Sequence, residues 1–245
     1  MEKVGLFHFV AEPYLMDFRG RVTLPMIGNY LIHAASSHAG ERGFGFNDMS
    51  ERHTAWVLSR LAIEMKEYPT AFDKINLYTW IDESDASSPV VVSSWRMRMG
   101  KPLDSPVLFG RLSTWRPPSY LIGYRGIGQI YRRASVPDRE PGKIMPAENK
   151  AEGIPYSIKY SDLDINGHFN SVKYIEHLLD LFDIDQFKTR EIGRLEIAYQ
   201  SEGKQGMPLT LHKAESAPDK QDMAICMRER RSVVRRLLGD NKRDT

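Results

Sequence analysis

Tyr160-Ser161-Asp162-Leu163-Asp164-Ile165-Asn166-Gly167-His168-Phe169-Asn170-Ser171-Val172-Lys173-Tyr174 sets a carboxylate, an amide and an imidazole at alternate positions: Asp164, Asn166 and His168. Directly after them Val172, Ile175, Leu178, Leu179 and Phe182 recur at steps of three and four, the period of an amphipathic helix. The spacing predicts a helix over about 170–182. The polar trio then stands at a helix N-terminus, where backbone N–H groups lack partners and the partial charge is positive. Such a place can hold and polarise a carbonyl oxygen. It can equally be a well-made helix start, because Asp and Asn favour turns and caps. The pattern alone leaves both readings open.

Around this stretch the chain alternates in the manner of strands. The predicted strands of the second half are 154–160, 191–200, 208–215, 223–228 and 233–237. In the first half they are 55–66, 74–82, 90–99 and 107–115. On the first of these Val57, Ser59, Leu61, Ile63 and Met65 share a face, as do Ile75, Leu77, Thr79 and Ile81 on the next. An earlier stripe, Ile27, Tyr30, Leu31, Ala34, Ala35 and His38, lies between Pro25 and Gly40 and predicts a helix of about four turns. Pro137, Pro141 and Pro146 interrupt a polar segment that reads as a linker. The expected domains are 1–131 and 151–245, joined by 132–150.

The two halves look like copies. Arg60-Leu61-Ala62-Ile63 parallels Arg194-Leu195-Glu196-Ile197 at an offset of 134, and at that offset Ile75 and Leu77 meet Leu209 and Leu211. A repeated strand–helix–sheet unit is an α+β arrangement in which the helix covers one sheet face. The copies are unequal. Where the second has its polar trio, the first reads Asp17-Phe18-Arg19-Gly20-Arg21-Val22, without Asn or His. One chemical centre is therefore expected, leaving the first half free to specialise in binding.

The 245 residues are 41% hydrophobic and 27% charged, ordinary for a globular protein with a sizeable core. A net charge of +2 does not argue for nucleic acid, and no apolar run approaches a membrane span. Met1–Leu6 has neither signal-peptide nor transit character. The single cysteine, Cys226, rules out an internal disulfide and fits a reducing compartment. A cytoplasmic protein is the expectation. There is no G-x-S-x-G elbow and no metal-binding signature; His33 and His38, five apart, share no helix face well. The glycines at 123, 126 and 128, and those at 40, 43 and 45, lack the βαβ context of a dinucleotide site and read as turns. Neither cofactor nor metal is expected.

Asp162–Ile175, with its D-L-D-x-N-x-H-x-N block, closely resembles the acyl-acyl-carrier-protein thioesterase family of plant plastids and their bacterial relatives. The likeness extends through Trp56–Glu64, Tyr68-Pro69, Tyr78-Thr79-Trp80 and Arg194–Tyr199 followed by Glu202. It implies two hot-dog domains in tandem, each an antiparallel sheet wrapped around a long helix. It further implies a catalytic set of Asp164, Asn166 and His168, with Glu202 arriving from the facing strand. Plant members carry a cysteine directly after that glutamate. Here the position is Gly203, and Cys226 falls in another predicted strand, so attack by water or a carboxylate is expected in place of a thiolate. The implied partner is an acyl carrier protein bearing a phosphopantetheine-linked chain. Arg228–Thr245 has seven basic residues against three acidic, a local charge of +4. It reads either as a docking patch for an acidic carrier or as a solvated edge and tail; no aromatic pattern accompanies it to suggest nucleic acid. Acyl-CoA hydrolysis and non-catalytic acyl binding are the competing functions, and a monomer or homodimer is expected.

Overall fold

The computed structural model describes residues 4–43, 45–51, 56–65, 67–84, 90–99, 107–114, 153–217, 220–227 and 230–239. The chain divides into two compact units, Met1–Glu140 and Pro141–Thr245. The expected linker, 132–150, and the glycines at 123, 126 and 128 lie outside the described residues. The same holds for part of the basic run Arg228–Thr245, whose middle forms a strand backbone, Arg230–Gly239.

The first unit runs β1 (Gly5–Val10), a 3-10 turn (Pro13–Leu15), α1 (Leu24–Gly40), α2 (Phe46–Glu51), β2 (Trp56–Glu64), β3 (Lys74–Ser84), β4 (Val90–Met99) and β5 (Val107–Thr114). Its strands pair antiparallel in the order β1-β3-β4-β5-β2. The second runs β6 (Ile154–Ser157), a 3-10 turn (Tyr160–Asp162), α3 (Ser171–Leu179), α4 (Ile184–Thr189), β7 (Glu191–Ala198), β8 (Pro208–Ala217), β9 (Lys220–Met227) and β10 (Arg230–Gly239). Its order is β6-β8-β9-β10-β7, again antiparallel throughout. The two permutations are the same, and so are the registers. With β3 and β8 offset by 134, Ile75↔Met99 corresponds to Leu209↔Met227, and Trp95↔Leu108 then corresponds to Met223↔Val234. The repeat legible at six positions therefore extends through each sheet.

The helices form where the stripes predict them. Thr23 caps α1, its Oγ1 accepting from Met26 N, with Pro25 in the first turn. Ile27, Tyr30, Leu31, Ala34, Ala35 and His38 are all buried, and the helix packs against β1 and β3. In α3 the buried stripe is Val172, Tyr174, Ile175 and Leu178. This helix is shorter than the predicted 170–182: Asp183 caps a new one, its Oδ1 accepting from Asp185 N at 2.9 Å. The duplicated apolar residues Leu61, Ile63, Ile75 and Leu77, and their counterparts Leu195, Ile197, Leu209 and Leu211, are at most 6% exposed. Each such burial contributes roughly 1.5–3 kcal/mol. Two further corrections concern strands. β1 was not among the predicted strands, and Glu202 lies in the loop beyond β7, which stops at Ala198.

Candidate active site

The segment Asp162–Asn170 forms a tight loop between the 3-10 turn and α3. Asp164 holds it closed from inside. Its Oδ1 accepts from the N–H groups of Asn166 (2.9 Å) and His168 (3.0 Å), while its own N–H donates to His168 O at 2.8 Å. Gly167 has φ of 73°, a left-handed conformation that costs glycine little and permits the reversal. Asn166 is carried outward: it is exposed, and its side-chain amide makes no hydrogen bond to a described residue. His168 is half-buried and turned to the 202–204 loop, where it forms a β-bridge with Lys204.

That bridge brings the two titratable groups together. His168 Nδ1 lies 3.6 Å from Glu202 Oε2, with the side chains 31% and 48% exposed. The separation is just beyond a direct hydrogen bond, close enough for both groups to act on one bound reactant. Asp164, His168 and Glu202 thus converge on one loop pair, whereas Asn166 sits at its rim.

Two tyrosines staple the Glu202 loop to the helix start. Tyr199, just past β7, donates to Ser171 O at 2.9 Å, and Tyr174 of α3 donates to Ser201 O at 3.2 Å. Their rings meet edge to face at 5.3 Å. Burial, reinforced by Tyr174, pushes the Tyr199 hydroxyl far above its usual range, so it remains a donor. Sequence reasoning missed this staple. The signal was a tyrosine on the buried stripe of a helix, which needs a partner for its hydroxyl.

The helix-start amides correct an expectation. Asn170 Oδ1 accepts from Val172 N at 2.9 Å and its carbonyl from Lys173 N at 2.9 Å. These N–H groups serve the cap, not a substrate oxygen. A second missed cluster lies under the loop. Asp162, 2% exposed, accepts from Tyr156 Oη (2.6 Å) and Lys159 N (2.8 Å) on Oδ2, and meets His177 Nε2 on Oδ1 at 2.9 Å. Burial favours its neutral form, but the hydrogen bonds from Tyr156, Lys159 N and His177 outweigh this and hold the carboxyl below its usual range. His177 Nε2–H is therefore the donor. Burial and the Asp162 partner push the Tyr156 hydroxyl up to about 12.

Gly203, beside Glu202, is buried, and a Cβ there would stand 2.5 Å from Ile158 Cδ1 and 3.1 Å from Phe169 Cβ. A side chain at that position would require the end of the Ile158 side chain to shift and Phe169 to give by a few tenths of an ångström. Cys226 sits in β9, opposite Thr210 and Arg231.

The first unit builds the same loop without the chemistry. Its 3-10 turn, Pro13–Leu15, matches Tyr160–Asp162 at an offset of 147. Asp17 Oδ1 accepts from Arg19 N (2.8 Å) and Arg21 N (3.3 Å), as Asp164 does from Asn166 and His168. Gly20 has φ of 72°, Arg21 bridges to Thr70 as His168 does to Lys204, and Val22 N donates to Pro69 O as Phe169 N does to Gly203 O. Asn166, His168 and Glu202 correspond to Arg19, Arg21 and Tyr68. Only the aspartate is shared.

Sequence models of the acyl-ACP thioesterase N-terminal and C-terminal domains match residues 8–87 and 146–237. A crystal structure of an acyl-ACP thioesterase from Bacteroides thetaiotaomicron is 30% identical, with 97% of this chain and 98% of that one aligned at a TM-score of 0.84. The 12:0-ACP thioesterase from Umbellularia californica shares the double hot-dog fold at a TM-score of 0.81, with 20% identity and 98% of both chains covered. A palmitoyl-acyl carrier protein thioesterase of Gossypium hirsutum chloroplasts is 25% identical over 225 residues, 80% of this chain and 51% of that protein. The chain spans about half the length of the curated relatives it matches. Among the described residues no helix is long and apolar enough to cross a membrane.

Proposed function

Because the chain belongs to the acyl-ACP thioesterase family, we propose that it hydrolyses an acyl–acyl-carrier-protein thioester to free fatty acid and carrier protein. The observation that carries this reading is the approach of His168 Nδ1 to Glu202 Oε2 at 3.6 Å, in the copy of the loop that alone has both residues. Water held between them loses a proton to Glu202, assisted by His168, as its oxygen attacks the thioester carbonyl carbon. The resulting oxyanion takes a hydrogen bond from the exposed Asn166 amide; each such donor is worth a few kcal/mol in the transition state. The tetrahedral carbon then expels the pantetheine sulfur, which leaves as thiolate and takes up a proton. A thiol with a pKa of about 8.5 needs little acid assistance to leave. Asp164 shapes the loop and takes no part in proton transfer. Residues 151–245 supply the catalytic groups, and the first domain receives the acyl chain.

Gly203 supports water over a cysteine nucleophile, since the position next to Glu202 carries no thiol and the single cysteine, Cys226, lies in β9. The decisive measurement is release of free fatty acid from purified acyl-ACP, with the same acyl group on CoA as the comparison. Glu202→Gln lowers kcat by about 10²–10⁴-fold on acyl-ACP, with thermal unfolding unchanged. Near-normal turnover in that variant removes Glu202 from the role of base. Faster hydrolysis of the CoA ester than of the carrier ester overturns the assignment of the donor.

A further inference from the structure

The second unit spends three polar side chains where the first uses none of the same kind. At the offset of 147, Tyr156, Asp162 and His177 stand in the places of Phe9, Leu15 and Tyr30. The ring pairs even stack alike, Phe9 on Tyr30 at 4.5 Å and Tyr156 on His177 at 4.3 Å. Yet the first unit closes its loop with the same backbone bonds, including Thr23 N to Leu15 O (3.2 Å) against Asn170 N to Asp162 O (2.8 Å). A buried carboxylate is therefore not required to fold this loop, and burying one is unfavourable unless it is fully hydrogen-bonded. Asp162 is: both oxygens are engaged, by Tyr156, Lys159 N and His177. Among the differences between the copies are His168 and Glu202, whose places in the first unit hold Arg21 and Tyr68.

The cluster reaches that pair through one residue. The His177 ring lies 5.7 Å from that of Phe169 at 33° between planes, and Phe169 stacks on Tyr174 at 4.2 Å. Phe169 follows His168 directly, and its N–H donates to Gly203 O, next to Glu202, at 2.8 Å. It is the only residue of the loop that is bonded to the His168 side and hydrogen-bonded to the Glu202 side among the described contacts. The first unit has Val22 here, with no ring to be gripped. We infer that Tyr156, Asp162 and His177 are positioning residues, a buried hydrogen-bonded group that fixes the Phe169 ring and thereby sets the His168–Glu202 separation for hydrolysis. The inference rests on the assignment of His168 and Glu202 as the catalytic pair.

The first unit supplies the test. The triple replacement Y156F/D162L/H177Y installs the residues that close the same loop in the other copy. It lowers kcat on acyl-ACP by about 10–100-fold, as expected for a catalytic pair displaced by a fraction of an ångström. KM stays within about twofold and thermal unfolding stays cooperative. Added to H168A, the same triple replacement costs nothing further, because it acts through that histidine. Wild-type kcat in the triple variant overturns the inference, as does an equal loss in the presence and absence of His168. If the triple variant does not unfold cooperatively, Y156F alone decides: it removes one hydrogen bond to Asp162, and unaltered kcat refutes positioning. Normal turnover in H168A by itself overturns the catalytic assignment, a failure separate from that of the positioning cluster.

Discussion

Asp164 is the one member of the motif that both copies keep, and this separates shape from chemistry at the level of single residues. Asp17 caps a loop that has arginines where a catalytic site has Asn and His. Replacing either aspartate with alanine leaves two N–H groups without their acceptor, both on half-buried residues at Asp17 and one on the exposed Asn166 at Asp164, at a cost of about 1–3 kcal/mol. Urea unfolding of Asp17→Ala and Asp164→Ala is expected to show losses of similar size, somewhat larger for Asp17 because it also holds Arg19. Only Asp164→Ala is expected to lower turnover as well. Equal turnover in the two variants contradicts the division of labour. The alternation Asp164, Asn166, His168 was legible as a polar helix start. That His168 and Glu202 approach each other was legible only through the family resemblance, because a carboxylate four residues past a strand end carries no local signal of its partner.

At the level of elements, the start of α3 rests on Asn170, whose Oδ1 takes Val172 N. Asn170→Ala is expected to lower stability by about 1 kcal/mol, read as a shift in Tm, whereas Asn170→Asp retains the cap. Both helical stripes and nine of the ten strands among the described residues were legible, because burial on one face writes a period of 3.6 or 2 into the sequence. β1 was not: it pairs on one side only, with β3, and just Gly5 of its six residues is buried. The Tyr156–Asp162–His177 cluster was not legible either. Its members lie 6 and 15 residues apart across a turn and a helix, and no periodicity links them. The tyrosine staples span 27 and 28 residues, a distance that only the folded sheet closes.

On the scale of the molecule, the two units respond differently to acid. His38 of α1 is buried, 4% exposed, with Nε2 unpartnered among the described residues. Burial, with Arg42 adding to it, lowers its pKa from 6.5 to about 4. The unfolded chain therefore binds the proton first. The stability held by neutral His38 is complete above pH 6.5 and is lost as pH falls toward 4, a change on the order of 3 kcal/mol. Asp162 has the depressed carboxylate of the second unit, so its contribution is lost only below its unfolded value of 3.8. Between pH 6.5 and 4 the first unit is expected to loosen first. Hydrogen exchange resolved by segment checks this, and His38→Phe is expected to flatten the effect; unchanged acid sensitivity in that variant assigns it elsewhere. The matched strand order carries a consequence for biosynthesis. A chain holding two sheets of one permutation and one register offers a newly made strand two geometrically acceptable neighbours, and tandem domains fail in this way by exchanging elements. Across the loop from Leu15 to Thr23 only Asp17 and Gly20 recur in Asp162–Asn170. That divergence is expected to disfavour such exchange while each half keeps the architecture.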